Sequence, residues 1–372
     1  MNRALAYDES YALNAICPYY TMFPLEYPLH ILKRHQKEAP IVLDPFCGRG
    51  TTIFAARKLG LMSYGIDSSP IAAAIAQAKL ASATVRAVLA LGESFLKKSP
   101  KHVPQSPFFR KAYSPRTLEQ ICSLREGLLA KTRPSAASAL LRAAALGCLH
   151  GPLNTGEDST PSYFSNQMPR TFSTKPDYSV RFWKEKGLYA PQVKVIDVIE
   201  KKLLRIPDLN GESYGYVRNI KCSDARTRNA YRSIPTTAIT VTSPPYYGMR
   251  TYVQDQWLRM WFLGGKPDVD YEAGDQLSHN GHAAFARDLA KVWKNVRKNS
   301  DDCAHLYVRF GTLPSAKSDA RKLFKESLEE AGDWTLVSVR NAKSSHEGKR
   351  QADQMGRESE AADEYDFHAI SN

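Results

Sequence analysis

No two of the six cysteines stand at CxxC spacing, and none of Cys17, Cys47, Cys122, Cys148, Cys222 and Cys303 lies at ligand spacing from a histidine cluster. That argues against a metal site, and six thiols in 372 residues make a poor disulfide framework. Reduced, mostly buried thiols and no metal are the expectation. No uninterrupted apolar run approaches the ~20 residues needed to span a bilayer. The amino-terminal MNRALAYDES lacks the apolar stretch of a secretory signal. The expectation is a soluble cytoplasmic protein without a membrane partner. No internal repeat occurs, and no GxxxxGK[ST] is present to cradle a nucleoside triphosphate. Apolar material is not scarce: at 43% hydrophobic residues the chain can build a real core.

Acidic residues are scarce in one place. Residues 85–235 hold 25 Lys and Arg against 12 Asp and Glu, whereas the rest of the chain is balanced at 26 and 26. The whole net charge of +13 therefore sits in one middle segment. A basic block inside a neutral frame reads as a surface for a polyanion, with solvated helix faces as the plainer alternative.

The flanking parts alternate strand and helix. PIVLDPFCG (40–48) begins as a β-branched strand, and TTIFAARKLG continues at helical spacing to Gly60. LMSYGIDSS reads as a second strand. The helix after it, starting SPIAAAIAQAKL and running on through ASATVRAVLAL, opens with Ser69 as cap and Pro70 in its first turn. Strand, helix, strand, helix is the start of a parallel α/β sheet. Residues 116–149 look helical, whereas 151–187 are rich in Gly, Pro, Ser and Asn and read as long ordered loops. The α/β pattern resumes with YVRNIKCSDAR, TAITVT, QDQWLRMWFLGG, FARDLAKVWKNVRK, AHLYVRFGT and WTLVSVRNA. Trp257 and Trp261, four apart on a helix, read as core. The last stretch, from 346 to 372, reads as a polar tail.

Two loops carry chemistry. DPFCGRGTT (44–52) follows the first strand, where open α/β sheets bind ligands. Gly48 and Gly50 let the backbone turn sharply and approach a ligand. Ile53 stands where a dinucleotide fingerprint needs its third glycine, and Asp44 would repel a pyrophosphate. Asp67 ends the second strand and is placed to accept ribose hydroxyls. A nucleoside ligand with positive charge and no phosphate fits this pair, and S-adenosyl-L-methionine answers that description.

The second loop is TSPPYYGMRTY (242–252). A β-branched run cannot continue through Ser-Pro-Pro, because neither proline donates to a ladder. The result is a stiff corner at a strand end that holds Ser243 and Tyr246 at fixed spacing. A plain turn between core elements is the alternative.

Taken in order, these stretches resemble the amino-methylating DNA methyltransferases. DPFCGRGTT is similar to their cofactor motif, GIDSSPIAAAIA to the ribose-contacting segment, CPYYTMFPLEYPLHIL (17–32) to the upstream motif that closes over the cofactor, and TSPPY to the catalytic motif in the form seen most often in N4-cytosine enzymes. N6-adenine members usually carry Asp or Asn in place of Ser243. The resemblance implies an α/β, Rossmann-like class I methyltransferase fold with a mostly parallel twisted sheet, plus a basic, partly helical insertion. It implies S-adenosyl-L-methionine as cofactor, held by Thr21, Phe23, Asp44, Pro45, Phe46, Gly48, Gly50, Thr51 and Thr52 around its methionine end, by Asp67 and Ser68 at the ribose, and by Asp224 at the adenine amino group. Ser243, Pro244, Pro245 and Tyr246 would receive the target base. Cys17 departs from the histidine that relatives often carry, and the insert lies between the second and third cofactor motifs.

The domain reading is a discontinuous methyltransferase domain, 1–84 and 216–345, around an inserted DNA-binding, target-recognition region, 85–215. In that insert Arg170, Lys175, Arg181, Lys184 and Lys186 are expected on DNA phosphates. The aromatic rings interleaved with them read equally well as a small core. The expected substrate is double-stranded DNA, in a restriction-modification system or as a solitary or phage modification enzyme. A separate cognate endonuclease, a nucleoid association, and a monomeric or weakly dimeric state complete the expectation. N6-adenine methylation is the nearest alternative; an RNA methyltransferase more usually shows Asn or Asp before Pro-Pro-Tyr. An inactive nucleic-acid-binding protein is the alternative of a different class.

Overall fold

The computed structural model describes residues 9–19, 23–151, 161–165, 175–207, 209–213, 215–248, 253–269, 281–313, 318–342 and 363–372. In chain order, α1 (Glu26–His35), β1 (Val42–Asp44), α2 (Thr51–Lys58), β2 (Ser63–Asp67) and α3 (Pro70–Leu80) come first. Seven helices follow: α4 (Val85–Leu96), α5 (Pro107–Ala112), α6 (Pro115–Leu129), α7 (Ala136–Leu146), α8 (Pro176–Glu185), α9 (Val195–Leu203) and, later, α10 (Trp257–Phe262). Between α9 and α10 lie β3 (Ile220–Cys222) and β4 (Thr237–Thr242). The chain then forms α11 (His282–Arg297), β5 (Ser300–Thr312), α12 (Ala320–Ala331), β6 (Trp334–Asn341) and β7 (Asp363–Ser371).

Two compact units result. One gathers Tyr19–Ala76, Ser213–Thr251 and Asp275–Asn372; the other gathers Met1–Pro18, Gln77–Glu212 and Tyr252–Gly274.

The first unit is built on a seven-stranded sheet of order β3-β2-β1-β4-β5-β7-β6. Every pair from β3 to β5 is parallel, and β7 runs antiparallel to both β5 and β6. This is the mixed, mostly parallel, Rossmann-like sheet expected, with an antiparallel strand near one edge. Burial explains the strand choice: Val42 and Leu43 in β1 are fully buried, as a strand covered on both faces requires. On one face Leu43, Ile66, Leu306, Val308 and Phe367 pack with Phe285, Leu289 and Trp293 of α11 and Phe324 of α12. In β2, Gly65 is required by close approach. A Cβ there would lie 3.0 Å from the Cys47 Cβ and Sγ and from the Ile220 Cδ1.

Three expectations change. The polar tail holds a strand: β7 inserts between β5 and β6. Its sequence DEYDFHAIS alternates, so that Phe367 and Ala369 are buried on the core face while Asp366 and His368 take the other. The loop segment 151–187 contains α8, opened by Pro176 in its first turn and anchored by buried Ser179 and Trp183 four residues apart. The long helix expected from Ser69 breaks after Leu80; Thr84 caps α4 by accepting from the Ala87 amide at 3.2 Å.

The second unit packs helices around aromatic rings. Phe108 meets Trp257 at 4.8 Å between centroids, and Phe109 meets Trp261 at 4.6 Å. Both tryptophans are buried, as their spacing implied. Cys17, Cys47, Cys122 and Cys148 are buried free thiols, and Cys222 and Cys303 are exposed. Among the described residues no helix is long and apolar enough to cross a membrane.

Candidate active site

From β1 the sheet grows one way through β2 and β3, and the other way through β4 and β5. Such a reversal leaves a crevice beyond the carboxyl ends of the two central strands, the place where open α/β sheets take ligands. Asp44 ends β1 and Thr242 ends β4. The Thr242 hydroxyl donates to the Asp44 Oδ1 at 2.6 Å, so the carboxylate that opens DPFCGRGTT is in direct contact with the threonine before Ser-Pro-Pro-Tyr.

Asp44 is fully buried. Its Oδ1 also accepts from the Phe46 amide at 3.1 Å, whereas Oδ2 is buried with no hydrogen-bond partner among the described residues. Burial pushes its carboxyl up to about 7, against the opposing hydrogen bonds of Thr242 and the Phe46 amide, and the charge of Asp67 adds to the rise. The glycine loop then turns back with Gly48 at φ +49° and Gly50 at φ +81°, values that an L side chain resists. Gly50 opens α2, where Thr51 and Thr52 are buried and the Thr52 hydroxyl donates to the Val241 carbonyl at 3.1 Å.

At the end of β2, both oxygens of Asp67 receive backbone amides: Oδ2 from Gly48 and Oδ1 from Ser69, each at 2.8 Å. Burial raises its carboxyl, with these two amides opposing. Asp67 thus fastens the glycine loop to the second strand, and each oxygen keeps a lone pair for a further donor. Ser68 beside it is exposed.

Beyond β4, Pro244 is buried, and Ser243, Pro245 and Tyr246 are half-buried. The chain next pairs Tyr247 with Thr312 in a parallel bridge at the end of β5. The Tyr246 ring meets Phe310 edge-on, with centroids 6.1 Å apart and planes at 80°. Its hydroxyl is pushed well above the ordinary tyrosine range, by burial first and then by the nearby charge and hydrogen bond of Glu364.

Other expected residues are placed differently. Pro45 is buried behind the loop, and the Phe46 ring packs edge-on against Trp293 at 6.3 Å, on the core side. Phe23 leads into α1 and contacts Tyr27 at 5.4 Å. Asp224, in the loop after β3, is gripped by Arg226: Nε reaches both oxygens at 3.0 and 2.9 Å, and a terminal nitrogen reaches Oδ2 at 2.7 Å. These hydrogen bonds hold its carboxyl below the usual range, against its own desolvation. Arg226 also donates to Asp288 of α11 at 2.7 Å. Thr21 and Arg170 lie outside the described residues.

Lys175, Arg181, Lys184 and Lys186 belong to the helical unit, on α8 or at its ends, and all four are exposed. Of the rings among them, Trp183 is fully buried whereas Tyr178 is 55% exposed. The interleaving therefore divides into core and surface.

Sequence reasoning missed Thr242, Arg226, Arg309, Glu364 and Asp366. Arg226 stands two residues from Asp224, close enough for a local ion pair to be suspected. The last two had a signal in the alternation of EYDFHA.

A family described as DNA methylase, of the N6/N4 methyltransferase type, matches residues 6–78. The Type II methyltransferase M.MjaII of Methanocaldococcus jannaschii is 40% identical over 68 residues, which are 18% of this chain and 13% of that protein. The match therefore spans only a small part of the relative's length. Two structures of the rRNA methyltransferase aviRa from Streptomyces viridochromogenes align over 98% of this chain and 93% of their own, at 14% and 12% identity, with TM-scores of 0.37 and 0.36. Over residues 6–78, the stretch that carries DPFCGRGTT and GIDSSP, this chain is similar to the amino-methylating DNA methylases.

Proposed function

We propose that the protein is an S-adenosyl-L-methionine-dependent DNA methyltransferase acting on an exocyclic amino group, with N4 of a flipped cytosine as the favoured target. One observation carries the reading: Asp44, with a buried oxygen that has no partner among the described residues, accepts a hydrogen bond from the threonine immediately before Ser243-Pro244-Pro245-Tyr246.

The donor set fits the cofactor. A buried carboxylate with a vacant lone pair calls for a cationic donor, and a methionine ammonium is one. Asp44, Gly48, Gly50, Thr51 and Thr52 would surround that end, and Asp67 would accept ribose hydroxyls with the lone pairs its two amides leave. Asp224 would take the adenine amino group only through a lone pair that Arg226 does not occupy. When bound, the cofactor supplies an electrophilic methyl on a sulfonium.

The chain's own residues do the rest. A cytosine amino group is buried in a duplex, so the base must leave the stack at a cost of a few kcal/mol. Stacking on Tyr246 offsets roughly 1–3 kcal/mol of that. The amino lone pair is delocalised into the ring and is weakly nucleophilic. The Ser243 hydroxyl and Pro244 carbonyl, accepting its hydrogens, favour a pyramidal nitrogen with a free lone pair. The prolines aim that carbonyl before the base arrives, which is electrostatic preorganisation. No cysteine nucleophile enters.

The exposed cations of α8 support a DNA partner, as phosphate contacts. Serine before Pro-Pro-Tyr favours N4-cytosine over N6-adenine. The test is to incubate the protein with methyl-labelled cofactor and unmodified DNA, digest to nucleosides and identify the labelled base. N4-methylcytosine is expected; N6-methyladenine would move the target. Cofactor binding without transfer to any DNA would leave an inactive nucleic-acid binder.

A further inference from the structure

β7 brings two carboxylates toward Tyr246. In its ladder with β5, Glu364 stands opposite Gly311 and Asp366 opposite Arg309. The corner after β4 runs beside the end of β5: Tyr247 bridges Thr312, and its carbonyl accepts from the Leu313 amide at 3.1 Å. Tyr246 is thereby held level with the start of β7. Phe310 fixes one edge of its ring, and Glu364, paired across the ladder with the side-chain-less Gly311, sets its carboxylate near enough to the hydroxyl for its charge and hydrogen bonding to raise it. Asp366 in turn grips Arg309 through two hydrogen bonds of 2.7 and 2.8 Å. The Arg309 guanidinium lies 4.2 Å from the centre of the Tyr27 ring. Arg309 is only 8% exposed, so this layer is an interior, charge-paired support.

We propose that Glu364 is a positioning residue for Tyr246: from β7 it fixes the tip of the ring whose edge Phe310 fixes, so that a stacking face stands ready for the target base. The inference rests on the reading of Tyr246 as the base platform. A ring held at one edge can still swing about its torsions, and an incoming base would have to order it. A second anchor at the hydroxyl removes that freedom in advance. The neighbouring Arg309–Asp366 pair ties β7 to β5 at the same level, keeping the Glu364 carboxylate within reach of the hydroxyl.

The experiment is a double-mutant cycle on the full chain with Glu364→Ala, Tyr246→Phe and their combination, with Glu364→Gln as the conservative variant. Methyl transfer into unmodified DNA gives kcat and KM separately, calorimetry gives cofactor affinity, and thermal scans report folding. Each single variant is expected to lose about tenfold in kcat, with cofactor affinity unchanged and the double no worse than either single. Glu364→Gln keeps an acceptor oxygen and most of the rate. Losses that multiply in the double overturn the assignment, as does a Glu364→Gln variant that matches Glu364→Ala and loses cofactor binding and Tm with it. Tyr246→Ala separates the two levels. Undiminished methylation by Tyr246→Ala, or none by the wild type, defeats the base-platform reading itself; abolished methylation alongside a multiplicative cycle defeats only the role of Glu364.

Discussion

Replacing Asp44 by Asn tests the site at its most unusual atom. The carboxyl sits near 7 in the folded protein, against an ordinary value of 3.8, because burial strips its water and hydrogen bonds only partly compensate. A cationic donor on the free oxygen favours the ionised form, so binding must release the proton the empty site retains. Below about pH 7, cofactor affinity should fall by about tenfold per pH unit, and above it level off. Calorimetry at pH 6 in two buffers of different ionisation enthalpy should detect close to one proton released, and at pH 8 almost none. Asp44→Asn should bind more weakly at pH 8 and show no such slope.

The same shift has a signature in the protein alone. Between about pH 4 and 7 the unfolded chain has already lost the Asp44 proton while the folded protein keeps it, so stability should decline as pH rises. The full difference is about 4 kcal/mol at 1.36 kcal/mol per unit, an upper bound because water penetration and relaxation reduce it. Urea titrations of Asp44→Asn should lack this part of the decline. A wild-type affinity that is flat from pH 5 to 8, or a slope that survives in Asp44→Asn, would refute the assignment.

Three further outcomes follow from the packing and the surface. Phe367, 1% exposed and stacked on Phe324 at 4.1 Å, should cost about 3–5 kcal/mol on replacement by Ala, measured by urea unfolding; a change under about 1 kcal/mol would mean β7 is not part of the core. Gly65→Ala puts a methyl 3.0 Å from Cys47 and Ile220 and should cost about 1–3 kcal/mol in the same assay. Neutralising Lys175, Arg181 and Lys184 together should reduce the slope of log K against log salt for DNA binding by about 2–3, whereas an unchanged slope would remove α8 from the interface.

The parts of the site that were legible in sequence are those whose backbone chemistry is local. A β-branched run ending in Asp-Pro, two glycines that turn with positive φ, and a strand stopped by Ser-Pro-Pro all announce themselves within a few residues. Asp44 and Ser243 could be placed at strand ends on those grounds. What could not be read was pairing at a distance. Nothing near Thr242 says that its hydroxyl meets Asp44, because that contact depends on β4 lying beside β1. The ring of Phe46 turned to the core for a similar reason: Trp293 on α11 offers it a partner. β7 was hidden by composition. On one face its Asp366 pairs with Arg309, which makes a polar sequence suitable for an interior strand. In α8, the Gly- and Pro-rich surroundings masked a short helix whose buried face is only Ser179 and Trp183.

The position of β7 also dictates an order of assembly. β6 precedes β7 in the chain, yet among the described residues its one neighbour in the sheet is β7. Until β7 is in place, β6 has no partner strand among the described residues, and its exposed Val337 and Val339 stay on an unfinished margin. Joining such distant stretches is slow, because closure entropy is spent before the contacts repay it. The half of the sheet bearing Asp44 and Asp67 can form without that event, whereas the support beneath Tyr246 cannot. Nascent molecules should therefore complete the edge that bears Asp44 and Asp67 before the corner that bears Tyr246 is braced.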